Sequence, residues 1–194
     1  MCPISPLTDD EIKAKSGRVV KQSRSDKVGE QIGNIELPST SGKMVNIKNI
    51  SENSNVVLFF YPGNRIGLEF PELMGCTPES CSFRDNIQEF SDANTVVLGV
   101  SMQSTEVQSN FVQENHLRFE ILSDSQGQLA DTLGVDIWQT LDGDKTFTAR
   151  ETVFIKEGGE IKLHVKDITF SDIDTHVADL LDMVKKSLSP SCCM

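Results

Sequence analysis

At 194 residues the chain is long enough for one domain with a sizeable core and short extensions. Its 29 acidic residues against 18 basic ones leave a net charge of -11, which argues against nucleic acid and anionic membrane surfaces as partners, because both need a basic face. Hydrophobic residues make up 38% and fall in short runs, none near the ~18 apolar residues of a membrane span.

Residues 1–27 are polar, carry Pro3 and Pro6, and read as a loosely packed N-terminal extension without the apolar stretch of a secretory signal. An intracellular, cytoplasmic and reducing location follows as the expectation. The five cysteines (Cys2, Cys76, Cys81, Cys192 and Cys193) agree with it, being too few, uneven and odd in number for a disulfide scaffold. The folded domain is expected over 28–188, followed by a cysteine-containing tail, 189–194.

Gly33 to Leu37 alternates apolar and polar residues before Pro38, and the turn at Ser41-Gly42 leads to Met44, Val45 and Ile47, a hairpin pattern. Asn55 to Tyr61 is a continuous apolar run suited to a central strand buried on both faces, and Asn94 to Val100 is a second. Between them, Thr77 to Phe90 reads as one helix with Phe83, Ile87 and Phe90 on its apolar face. Ser104 to Asn115 reads as another, with Val107 and Phe111 on one face. A short strand over Phe119 to Leu122 precedes a helix over Gln126 to Leu133, ended by Gly134. Glu151 to Lys156 and Glu160 to Val165 flank Gly158-Gly159 as a hairpin. Ser171 to Leu188 closes the domain as an amphipathic helix with Ser171 as N-cap and Pro190 beyond its end. Strand–helix alternation followed by a late hairpin predicts an α/β domain of thioredoxin-like fold, its central mixed sheet flanked by helices.

The chemistry concentrates in GCTPESCSFRD, Gly75 to Asp85, which follows the first central strand and therefore lies at the carboxyl edge of the sheet. A thiol at a helix start meets free N–H groups and the positive end of the helix dipole, which favour its reactive anion. Cys76 is nearer that start and is expected to attack first, with Cys81 trapping the oxidised product. Five residues on a helix separate their Cα atoms by roughly 8–9 Å, whereas a disulfide needs less than about 7 Å. Bonding therefore requires the first turns to unwind. Two other readings stay open at this level: a pair of buried cysteines acting as small apolar residues, and a zinc pair, disfavoured because no CxxC and only three histidines accompany it.

The motifs VVLFFYP (56–62), GCTPESCSFRD (75–85), LGVSMQS (98–104), LRFEILSDSQGQLADTLGV (117–135) and RETVFIKEGGEIK (150–162) occur in the order found in peroxiredoxins. Together they resemble the Q type, the bacterioferritin comigratory protein group, from about Lys27 to Leu188. The resemblance implies a thiol-dependent peroxidase acting on hydrogen peroxide and organic hydroperoxides. It also implies Cys76 as peroxidatic and Cys81 as resolving cysteine, with Arg150 holding the thiolate and the peroxide. A thioredoxin-like dithiol is the expected reductant, no cofactor is expected, and the protein is expected as a monomer or dimer. Physical chemistry supports Arg150, since a guanidinium keeps its charge and offers several fixed donors.

The chain departs from that pattern in one place. The family has Pro, three residues, Thr or Ser, two residues, then Cys. Here Pro62 lies well upstream across an insertion, roughly Gly63 to Met74, and Leu73 stands where the hydroxyl is expected. Pro71 or Pro62 is then the candidate cover for the cysteine, and Thr77 the candidate hydroxyl. The departure also favours the main rival reading, a redox sensor or disulfide relay with weak turnover; a non-enzymatic interaction module is a third.

The remaining polar residues read as structural. Arg84 either supports the site or pairs with Asp85 or Glu79. His116, His164 and His176 are scattered, Trp138 is a packing residue under the active edge, and Asp142-Gly143-Asp144 is a turn without calcium-loop spacing. Cys2, Cys192 and Cys193 suggest no specific role.

Overall fold

The computed structural model describes residues 18–188. A five-stranded sheet forms its centre, in the order β10 (Ile161–Val165), β9 (Glu151–Ile155), β4 (Asn55–Phe60), β5 (Thr95–Ser101), β6 (Ile121–Ser123). The strands β4, β5 and β6 run parallel, and β9 and β10 antiparallel, which is the mixed sheet expected from the sequence.

The strand β4 shows why the apolar run sits at the centre. All six of its residues are buried, and successive side chains enter opposite cores. Val56, Leu58 and Phe60 join one core; Val57, Phe59 and the following Tyr61 join the other. On the first face lie α1 (Ile47–Ser51), the hairpin of β2 (Glu36–Pro38) with β3 (Met44–Asn46), and α5 (Gln128–Leu133). On the second lie α2 (Cys76–Asp85), α3 (Ile87–Asp92), α4 (Thr105–Glu114) and α6 (Ile173–Leu188), packed through Phe83, Phe90, Phe111, Val177 and Leu180.

A small second sheet was not legible in the chain: β1 (Val19–Gln22), β7 (Ile137–Thr140) and β8 (Thr146–Thr148) pair in the order β1-β7-β8. It corrects the reading of 1–27 as loose throughout, because Val19 is buried and β1 pairs antiparallel with β7. Residues 1–17 and 189–194, with Cys2, Cys192 and Cys193, lie outside the described residues.

Three local expectations also change. The helix expected over Thr77 to Phe90 divides at Asn86, whose side-chain amide donates to the Ser82 carbonyl at 2.9 Å and ends α2. In α4 Val107 is exposed; the buried partner of Phe111 is Gln108, whose amide donates to the Leu122 carbonyl and to Ser101 Oγ. The last helix is preceded by a 3-10 turn, Phe170–Asp172, capped not by Ser171 but by Thr169 in a reciprocal box with Asp172.

Candidate active site

Cys76 is the first residue of α2, preceded by Gly75 at φ 109°. A Cβ at position 75 would lie 2.5 Å from Ile173 Cδ1 and 3.1 Å from Phe170 Cδ2. Only glycine both adopts that backbone and lets α2 start against α6. The Cys76 side chain is buried, and its thiol donates to the Leu73 carbonyl at 3.7 Å.

Arg150 arrives from the other side. Strand parity places it, two residues before Thr152 and four before Phe154, on the face of β9 that α2 covers. Its Nη2 donates to Cys76 Sγ at 3.4 Å, to the Met74 carbonyl at 2.9 Å and to the Leu73 carbonyl at 3.3 Å. Its Nη1 contacts Glu79 Oε2. The guanidinium is 6% exposed. Burial opposes its charge, but Glu79 and the Cys76 sulfur outweigh burial and raise its pKa, so it stays cationic.

Sequence reasoning weighed Glu79 only as a partner for Arg84; the structure makes it the counter-ion of Arg150. Glu79 lies one helical turn from Cys76, so it projects from the same side of α2, and it is fully buried. Burial pushes its carboxyl above the ordinary value and Arg150 opposes that rise. The signal in the chain was a glutamate three residues after a cysteine at a helix start. Arg84, in contrast, bonds Asp85 at 2.8 Å and the Asn115 carbonyl at 2.8 Å, away from the sulfur.

Cys81 is buried half-way along α2, five residues from Cys76. Cys76 is a free cysteine, whereas Cys81 is disulfide-bonded. The bond therefore does not join the two. Arg150 and Cys76 meet directly.

Beside Arg150 opens a cavity of about 270 Å³ whose walls include Pro62, Leu73, Met74, Trp138 and Phe170. Pro62, rather than Pro71, is the proline that faces it. Thr77 is half-buried at the second position of α2. Trp138 is half-buried on β7 and packs against Val19, Phe70, Leu73 and Phe147. His176 bonds Thr152 Oγ1 at 2.9 Å behind the site, and burial, with the Arg150 charge adding to it, lowers its pKa to about 4. His164 contacts Glu151 at 2.7 Å on the other face of β9. Among the described residues no three His, Cys, Asp or Glu side chains gather as a metal site, and no helix is long and apolar enough to cross a membrane.

A cationic donor fixed against a buried sulfur, beside a cavity with both apolar and charged walls, suits attack by sulfur on a small electrophile whose leaving group becomes negative. Comparison with known proteins agrees. Residues 28–164 match the model of the AhpC/TSA family. The chain is 31% identical to peroxiredoxin bcp1 of Schizosaccharomyces pombe over 146 residues, covering 75% of this chain and 68% of that protein. It is 28% identical to peroxiredoxin Bcp of Bacillus subtilis over 164 residues, 81% of this chain and 94% of that one. The crystal structure of peroxidoxin BcpB from Mycobacterium tuberculosis superposes with a TM-score of 0.71 at 25% identity, over 86% of this chain and all of that one.

Proposed function

The chain belongs to the AhpC/TSA family and is a peroxiredoxin of the Bcp type, a thiol peroxidase, and we propose that its peroxidase chemistry is carried by Cys76, Cys81 and Arg150. The observation that carries this assignment is the 3.4 Å contact between Arg150 Nη2 and Cys76 Sγ.

The Cys76 thiolate attacks the distal oxygen of a hydroperoxide, an S–O bond forms and the O–O bond breaks. The leaving oxygen departs with the electron pair and takes a proton, giving water from hydrogen peroxide or an alcohol from an organic hydroperoxide. Cys76 is left as sulfenic acid. Arg150 holds the anionic sulfur beforehand and faces the negative charge that grows on the leaving oxygen. Cys81, as a thiol, then attacks the Cys76 sulfur; a disulfide forms and the sulfenic oxygen leaves as water. A thioredoxin-like dithiol reduces that disulfide by two exchange steps and becomes oxidised itself. Such recycling suits a reducing, intracellular compartment.

The intact helix sets the order of events. With roughly 8–9 Å between the two Cα atoms, α2 must unwind before the disulfide closes. The test is thioredoxin-coupled peroxide consumption, with thiol mapping of non-reduced digests after one equivalent of peroxide. Wild type should turn over and yield a Cys76–Cys81 cross-linked peptide. Cys76→Ser should lose turnover, and Cys81→Ser should accumulate over-oxidised Cys76. Wild-type consumption no faster than a free thiol would favour a sensor instead.

A further inference from the structure

The inserted segment, 63–74, stands where the chain departs from the family pattern, and it is fastened at several points. Phe70 and Leu73 are buried in a third apolar cluster with Val19 and Phe147, against which Ile66 and Trp138 pack. The Phe70 and Phe147 rings lie 5.5 Å apart, and the cations of Arg18 and Lys145 sit 5.3 and 5.7 Å from the Phe70 centroid. Lys145 also grips both carboxylate oxygens of Glu69, at 2.8 and 2.9 Å. The Gln103 side chain brackets Asn64, accepting from its N–H at 2.6 Å and donating to its carbonyl at 3.2 Å. At the far end of the segment the Leu73 and Met74 carbonyls bond Arg150.

The helix on the other side of Cys76 is built differently. Its sequence, CTPESCSFRD, has Thr77, Ser80 and Ser82, all weaker helix formers than alanine. Two of its buried polar atoms, Glu79 Oε1 and Ser80 Oγ, have no hydrogen-bond partner among the described residues. Buried unpartnered groups favour the unwound state, where water satisfies them.

We propose that segment 63–74 is a brace, that Phe70 and Leu73 position the Cys76 sulfur beside Arg150 by anchoring it to the β1-β7-β8 sheet, and that the resolving movement is made by the Cys81 side of α2 rather than by Cys76. This rests on the peroxidase reading of Cys76 and Cys81. The brace does through packing what a hydrogen-bonding loop residue cannot do with leucine at position 73. The Phe70 and Leu73 side chains belong to the third apolar cluster and Cys76 to the second, so each acts through the backbone that carries Cys76.

The experiment follows both steps in the fully reduced full-length protein after one equivalent of hydrogen peroxide. Quenched flow, alkylation and mass spectrometry read thiol, sulfenic acid and disulfide against time. Phe70→Ala should slow Cys76 oxidation tenfold or more and leave disulfide closure within twofold. Phe70→Leu, which keeps the apolar bulk, should stay within threefold of wild type in the first step. Ser80→Ala removes the unpartnered hydroxyl and raises helix propensity, so it should leave oxidation within twofold and slow disulfide closure threefold or more. Oxidation that is unaffected by Phe70→Ala, or a closure step that changes as much as oxidation does, overturns the brace. If Phe70→Ala does not fold, an unchanged closure step in Ser80→Ala overturns it alone. Wild-type protein whose Cys76 does not oxidise overturns the peroxidase reading, and the brace with it.

Discussion

Glu79 and Arg150 form a buried ion pair that spans the gap between α2 and the start of β9, with Arg150 Nη2 turned to the Cys76 sulfur. One side chain fixes the other, so the guanidinium reaches the sulfur without rotamer freedom. Glu79→Gln keeps the shape and removes the charge. Breaking one side of a buried pair costs roughly 3–5 kcal/mol, because the other charge is left uncompensated. Thermal unfolding should therefore shift down, and the second-order rate of Cys76 oxidation should fall about tenfold to a hundredfold. A variant with wild-type rate and melting temperature would show that the pair does not position Arg150.

Gly75 is the second point of precision. With φ at 109° and Ile173 Cδ1 2.5 Å from any Cβ, Gly75→Ala must shift either the start of α2 or the start of α6. The backbone strain alone is on the order of 1–2 kcal/mol. Because Arg150 Nη2 also lies 3.4 Å from that Cβ position, the displacement reaches the sulfur's donor. The expected outcome is a peroxide rate reduced tenfold or more with the far-ultraviolet spectrum of wild type, measured by stopped flow and circular dichroism.

Much of this was legible in the chain. The two continuous apolar runs at β4 and β5, the glycine pair of the β9–β10 hairpin and the place of Cys76 at a helix start are local signals that need no tertiary context, whereas Arg150 was marked only by the family resemblance. What escaped was decided by pairing across long separations. The strands β1 and β8 are four and three residues long and depend on β7 for their hydrogen bonds, so no local pattern marks them. Gln108 drew no reading from the chain, because its three acceptors come from β5 and β6. Glu79 was weighed only beside Arg84 for the same reason, its actual partner lying 71 residues away.

Leu73 shows what such long-range context does to a family pattern. The pattern suggests that a hydroxyl at position 73 would help bind peroxide. In the fold Leu73 is 2% exposed and packs with Phe70, Val19 and Phe147, while its backbone carbonyl, not its side chain, takes part in the Arg150 network. Leu73→Thr would place a hydroxyl in an apolar cluster and remove packed carbon atoms, at a cost of about 1–3 kcal/mol. The variant is expected to be less stable in urea and no faster toward hydrogen peroxide. A gain in rate would mean that the hydroxyl is the missing element and that the packing matters little.

Acid should destabilise the protein in two separate windows, of which the first belongs to His176. Burial, with the Arg150 charge adding to it, holds the folded imidazole at about 4, against about 6.5 in an unfolded chain. Above pH 6.5 the ring is neutral in both states and its contribution is complete. As pH falls from 6.5 toward 4 only the unfolded chain takes up the proton, so stability declines, by on the order of 3 kcal/mol, and then levels. Asp136 acts lower. Burial raises its carboxyl, but Lys166, the Arg24 N–H and Lys21 outweigh that and bring it to about 2, so its contribution is lost as pH falls below about 3.8 toward 2. His176→Gln retains a group able to bond Thr152 and cannot titrate. Its melting temperature should vary much less than that of wild type between pH 6.5 and 4.5, while the decline below pH 4 persists. Equal slopes for the two proteins across the upper window would assign the acid sensitivity to another group and leave His176 as packing alone.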